Sequence, residues 1–218
     1  MINEIKNYST VKMFGIYCLY IIAFMYLQHL FLINDQLYYA SLSNQLSYDS
    51  IDKMLAFQKK WQWLSYCAIP LLYFFKFLLI SCCLLCGSIF FDAKLKFSDA
   101  FKISILSDIV FVIPVILKVV WFAFLHKQYT LEDIQHFSPL SVVNFFDPKS
   151  VSALWYYPLQ SINVFEVLYI FVLGFWIYKF ENKNYEKGLR LAVSTYLPGL
   201  FIWIVLVMFL TININPKI

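Results

Sequence analysis

The sequence predicts an all-α, polytopic membrane helix bundle, with five transmembrane helices and short amphipathic helices on its outer surface. Three observations carry this. The 218 residues are 61% hydrophobic and only 14% charged, against roughly 45–50% and 25% for a soluble domain. The apolar residues fall in runs near the ~20 residues that cross a bilayer as a helix. Aromatic residues make up 21% of the chain, which suits a protein with two membrane–water interfaces to line. One integral membrane domain, residues 1–218, accommodates all of this, because no soluble domain fits between the runs.

The spans are placed at about 13–33, 64–88, 103–125, 164–180 and 190–212. The first follows a short polar start, Met1 to Lys12. Its apolar run is longer than the core of a signal peptide. Asn34-Asp35-Gln36 offers no small-residue cleavage site, so a retained anchor is expected. In "SYDSIDKMLAFQKKWQW", Asp49 or Ser50 caps a helix in which Ile51, Met54, Leu55 and Gln58 recur at helical spacing, and that helix runs up to the second span.

The segment between the third and fourth spans predicts two short surface helices. Thr130 caps the first, with Glu132 and Asp133 in the turn that the positive end of the helix dipole favours for acids. Asp147 caps the second, with Pro148 in first position, and Trp155, Tyr156 and Tyr157 lie at headgroup depth.

Basic residues near span ends set the orientation. Nine bases and five acids flank one side, which holds the N-terminus and the loops at 89–102 and 181–189. Six bases and six acids flank the other. This puts the N-terminus in the cytoplasm and the C-terminus outside. The net charge of +4 is accounted for by this asymmetry, so nucleic acid is not an expected partner.

Two stretches resemble a known family. "FFDAKLKFSDAFKISILSDIVFVIP" is similar, through Phe91, Phe97, Phe101, Ser107 and Pro114, to the Yip-type (Ypt-interacting) membrane proteins. There a short basic loop leads into a weakly polar helix that ends at a proline. "INVFEVLYIFVLGFWIYKFENKNYEKGLRLAV" resembles the same family's next two helices and loop through Phe165, Glu166, Gly174, Lys187 and Gly188. The likeness covers roughly residues 64–212. It implies a five-span bundle with a cytoplasmic N-terminus and a non-enzymatic role, in membrane traffic in eukaryotes and mostly undefined in bacteria. The long polar N-terminal region of the eukaryotic members has no counterpart here, which points to a bacterial-type member in the inner (plasma) membrane.

Four ionisable residues fall within spans: Lys76, Asp108, Lys118 and Glu166. Each costs up to ~2.5–3.5 kcal/mol at mid-membrane on insertion scales, so pairing or water contact is expected. Depth along the spans matches Lys76 with Asp108 on the inner half and Lys118 with Glu166 on the outer half. Pro114 falls between the two charges of the third span, where it removes a backbone donor. Three roles fit such residues: helix-positioning pairs, a polar path for an ion or small solute, or a docking site for a partner's helix. Kinks are expected at Pro70, Pro114 and Pro198-Gly199.

Other chemistry is scarce. Cys83 and Cys86 have CxxC spacing, as in the redox pair of a membrane quinone reductase. Yet no base flanks them and no second cysteine pair lies in the outer loops, so Cys18, Cys67, Cys82, Cys83 and Cys86 are expected to be free, buried packing thiols. His29, His126 and His136 lack metal-ligand spacing. No catalytic signature is present, so neither an enzyme nor a metal or cofactor is expected. The expected function is that of a subunit or adaptor in a larger membrane assembly of the export or trafficking type. Its partners would be the lipid bilayer and other integral membrane proteins. The alternative is a small transporter using the four charges.

Overall fold

The computed structural model describes residues 2–43, 45–147, 150–181 and 184–214. Among the described residues the chain is helical, without a strand; an isolated bridge joins Ser141 and Asn163. The helices are α1 (Ile2–Asn7), α2 (Thr10–Leu32), α3 (Asp35–Leu42), α4 (Tyr48–Phe90), α5 (Phe97–Ser107), α6 (Val112–Val120), α7 (Leu131–His136), α8 (Ala153–Ser161), α9 (Val164–Glu181) and α10 (Tyr185–Ile214).

Four helical stretches are long and apolar enough to cross a membrane: Thr10–Leu32, Tyr48–Phe90, Phe97–Leu125 and Tyr185–Ile214. The fourth expected span, α9, falls short of that standard because its 18 residues include Glu166, Lys179 and Glu181. α4 is one continuous helix of 43 residues, or about 65 Å at ~1.5 Å per residue. That is twice the ~30 Å of a bilayer's hydrocarbon core. Its polar beginning and its apolar end are thus one element, and it starts at Tyr48, just ahead of the expected caps.

The third stretch changes winding along its length. α5 gives way to a 3-10 turn over Asp108–Phe111, α6 follows, and a π turn over Trp121–Leu125 ends it. Pro114 enters just after the 3-10 turn. Its missing N–H removes one bond of the α ladder there, where a tighter turn is tolerated. Pro70 and Pro198 lie inside α4 and α10 without ending them.

Thr130 caps α7 as a full capping box, its side chain accepting from the Asp133 N–H while Asp133 accepts from the Thr130 N–H. The second surface helix begins later than expected. Asp147 instead closes a turn, its carbonyl accepting from both the N–H and the hydroxyl of Ser150. α8 starts at Ala153 behind Ser152. The expected first residue, Pro148, lies outside the described residues.

The chain divides into two compact units. The first comprises Met1–Phe14, Lys76–Pro114 and Ser138–Ile218. Its core gathers Leu84, Ile103, Tyr169, Leu173, Leu191 and Ala192 from four helices. α9 and α10 approach so closely that a Cβ on Gly188 would lie 2.5 Å from the Gly174 carbonyl oxygen, and one on Gly174 would lie 2.8 Å from the Leu189 Cα. Lysines tie down helix ends in the same unit. Lys102, itself buried, donates to the Lys6 carbonyl at 2.6 Å, and Lys6 donates to the Phe180 carbonyl. These are terminal carbonyls that their own helices leave unpaired.

The second unit comprises Gly15–Phe75 and Val115–Phe137. Its core is Leu32, Leu37, Phe122 and Ile134. α3 is fastened to the polar beginning of α4 by the Asp35–Lys59 ion pair at 2.7 Å, the Gln58 amide donating to Tyr38 at 2.8 Å, and a Tyr39–Asp52 hydrogen bond. That last bond pushes the Tyr39 phenol above its ordinary pKa, because the neutral hydroxyl is the form that donates to Asp52.

All five thiols are free, as the sequence predicts, but only Cys18 is buried; Cys67, Cys82 and Cys86 are exposed. The correction has a simple cause. An apolar run on a helix also has an outward face, and thiols sit there as readily as other small apolar groups. Cys83 points the other way and packs where Gly199 leaves room, since a Cβ there would come 2.8 Å from its sulfur.

Candidate functional site

The polar residues of the first unit converge where α9 begins. Asn163 starts the site: its side-chain oxygen accepts from the Glu166 N–H at 2.9 Å, satisfying one of the orphan donors of the α9 terminus. Glu166 therefore sits in the first turn. Tyr169 follows three residues later, on the same face.

Asp108 opens the 3-10 turn and is buried, 1% exposed. Lys76 of α4 meets it with Nζ 2.5 Å from Oδ1. The same ammonium lies 4.6 Å from the centre of the Phe111 ring, which supplies a second, weaker source of stabilisation. Phe111 leans on Tyr169, with ring centres 5.1 Å apart, and Tyr169 leans on Tyr196 of α10 at 4.9 Å. Tyr196 closes the circuit, donating its hydroxyl to Glu166 Oε2 at 2.8 Å.

Three of the four charges singled out in the sequence thus gather in one unit. Lys76 and Asp108 are an ion pair. Glu166 lies within electrostatic reach of both. Lys118 is in α6, in the second unit. The expected Lys118–Glu166 pair therefore falls across the two units, and Glu166 takes its partner within its own, the phenol of Tyr196.

The residue pattern does not mark the two tyrosines. With aromatics at 21% of the chain, a tyrosine in an apolar run is no signal by itself. Yet Tyr169 is the most unusual member of the site. It is fully buried, and among the described residues its hydroxyl has no hydrogen-bond partner. An unpaired buried hydroxyl costs ~1–3 kcal/mol.

A belt of serines continues from the site into the core. Ser104 and Ser107 donate back to Ala100 and Ile103, and Ser81 to Phe77. Each bonds a carbonyl four residues earlier on its own helix, and the Ser81 and Ser104 hydroxyls also meet across α4 and α5 at 3.5 Å. Among the described residues no group of three or more His, Cys, Asp or Glu could hold a metal ion. No family model, curated protein or solved structure matches the chain, so the Yip-type likeness rests on the residue patterns alone.

Proposed function

We propose that the chain is a five-span integral membrane protein that works without catalysis, as a subunit or adaptor of a larger membrane assembly of the export or trafficking type. α9 is its fourth span. Its three charges lie in its first and last turns, leaving a charge-free stretch from Val167 to Tyr178, and its 18 residues reach about 27 Å. The charge asymmetry of the loops puts the N-terminus in the cytoplasm and the C-terminus outside the inner membrane. The bacterial Yip-type likeness agrees with that arrangement.

The observation that carries the adaptor reading is how little of the apolar helices is covered. The most apolar 18-residue stretch of α10 has no buried residue, and that of α2 is only 11% buried. A conduit made of one chain has to close its spans around a path. Apolar stretches that face outward, as these two do, serve lateral contact with lipid and with other membrane helices.

Photo-crosslinking tests this in native membranes. A photoreactive residue at Phe201, Ile202 or Phe209, all exposed on α10, is expected to give one discrete protein adduct of constant mass. Diffuse lipid adducts from all three positions would contradict the adaptor reading.

The buried polar site favours a second reading, a small transporter using Lys76, Asp108 and Glu166. Solute flux through the purified chain alone in liposomes would support it, and no assembly would then be needed.

A further inference from the structure

Charge counting in the site leaves a remainder. One ammonium, Lys76, faces two carboxylates, Asp108 and Glu166. Lys76 stands on Asp108 at 2.5 Å, so Asp108 is neutralised. Glu166 feels Lys76 through space, but among the described residues its side chain is bonded by a phenol, through the 2.8 Å bond from Tyr196. A hydrogen bond does not cancel a charge, and an uncompensated charge in a low-dielectric surrounding is costly.

A second and independent observation points to the same gap. Tyr169, fully buried, has a hydroxyl without a partner among the described residues, and both carboxylates act on it electrostatically. It stands among potential acceptors yet is bonded to neither.

We propose that this site binds one exchangeable proton, carried on Glu166 and accompanied by the hydroxyl of Tyr169. The chemistry is a single step: a Glu166 carboxylate oxygen gains H⁺ and becomes a carboxyl group, and no other bond changes. The new O–H donates to Tyr169, which in turn donates to Asp108. The orphan hydroxyl is then satisfied on both sides, and Tyr196 keeps its bond to the other Glu166 oxygen. Glu166 is the member that can exchange with water. It is half-buried in the first turn of α9, whereas Asp108 and Tyr169 are sealed.

Among the described residues, the titratable groups that act on or with Glu166 are Lys76 from α4, Asp108 from the 3-10 turn, Tyr169 from its own helix and Tyr196 from α10. Lys6 and Lys102, brought by α1 and α5, are engaged at the opposite end of α9, at Phe180 and Lys6. The proposal does not rest on the adaptor reading; a proton can bind here whether or not a partner does.

Infrared difference spectroscopy of the full chain in lipid nanodiscs, recorded against pH, tests it. The wild type is expected to show a protonated-carboxyl band that vanishes as the pH rises and that is missing from Glu166→Gln. The tyrosines should act in opposite directions. Tyr196→Phe removes a donor to the ionised form and raises the midpoint by about one pH unit. Tyr169→Phe removes a partner of the protonated form and lowers it. Both variants keep the carboxyl group, so they decide the matter even if Glu166→Gln fails to fold. A wild type without a titrating carboxyl band, or a Tyr169→Phe midpoint equal to that of the wild type, overturns the proposal.

Discussion

Replacing Lys76 by Met is expected to lower the stability of the folded chain by about 2–3 kcal/mol, and adding Asp108→Asn is expected to recover part of that loss. The asymmetry follows from burial. Asp108 is 1% exposed, and the Lys76 side chain is 37% exposed. Losing Lys76 removes the ammonium from a carboxylate that is shut away from water. Breaking a buried ion pair from one side costs about 3–5 kcal/mol. The partial exposure of Lys76 places the effect at or below the lower end of that range. Converting Asp108 to Asn removes the stranded charge and leaves an amide that needs only hydrogen bonds. The readout is the thermal midpoint and the monodisperse yield in mild detergent. A double variant no better than the worse single one would show that Lys76 and Asp108 do not depend on each other.

The second large effect concerns the α9–α10 hairpin. Gly188→Ala is expected to destabilise the chain by about 3 kcal/mol, the upper end for overpacking a core. The obstructing atoms are backbone: the Gly174 carbonyl oxygen at 2.5 Å and the Tyr178 nitrogen at 2.9 Å from the new Cβ. Backbone cannot rotate aside, so the two helices must part. They carry Glu166 and Tyr196, and parting them breaks the 2.8 Å bond between those side chains. Gly199→Ala should be milder, because there the obstacle is the end of the Cys83 side chain. Gly15→Ala is the control. Nothing lies within 4 Å of its added Cβ, and alanine in a helix interior is favoured over glycine by about 0.5–1 kcal/mol. Equal stability of the Gly188 and Gly15 variants would mean that the hairpin is looser than described.

Much of this architecture is legible in residue patterns. Apolar runs mark the helices long and apolar enough to cross a membrane, and Thr130 marks the start of α7 because capping is local chemistry. The reach of α4 back to Tyr48 follows from helical spacing across a change from polar to apolar residues. What the pattern does not reveal are features decided between helices. Depth along a span matches Lys118 to Glu166, but depth does not show which groups within its own unit a side chain meets. The phenol of Tyr196 lies on the face that Glu166 turns toward, 30 residues further along the chain. Asp147 has the residue type of a cap, yet the turn it forms with Ser150 closes before a helix begins. Gly174 and Gly188 carry the Yip-type likeness, and the packing of α9 on α10 gives both a physical reason to be glycine.

The role of the buried polar site depends on α9 being a membrane span, since only then does the end of α9 that carries Glu166 lie at a membrane–water interface. Cysteine labelling with a membrane-impermeant maleimide tests this most directly, in a chain whose five native cysteines are replaced by alanine. With a single cysteine at Asn163, before α9, labelling is expected from outside the cell. With one at Asn184, after α9, it is expected only once the cytoplasmic face is opened. Labelling of both positions from the same face would mean that α9 does not cross.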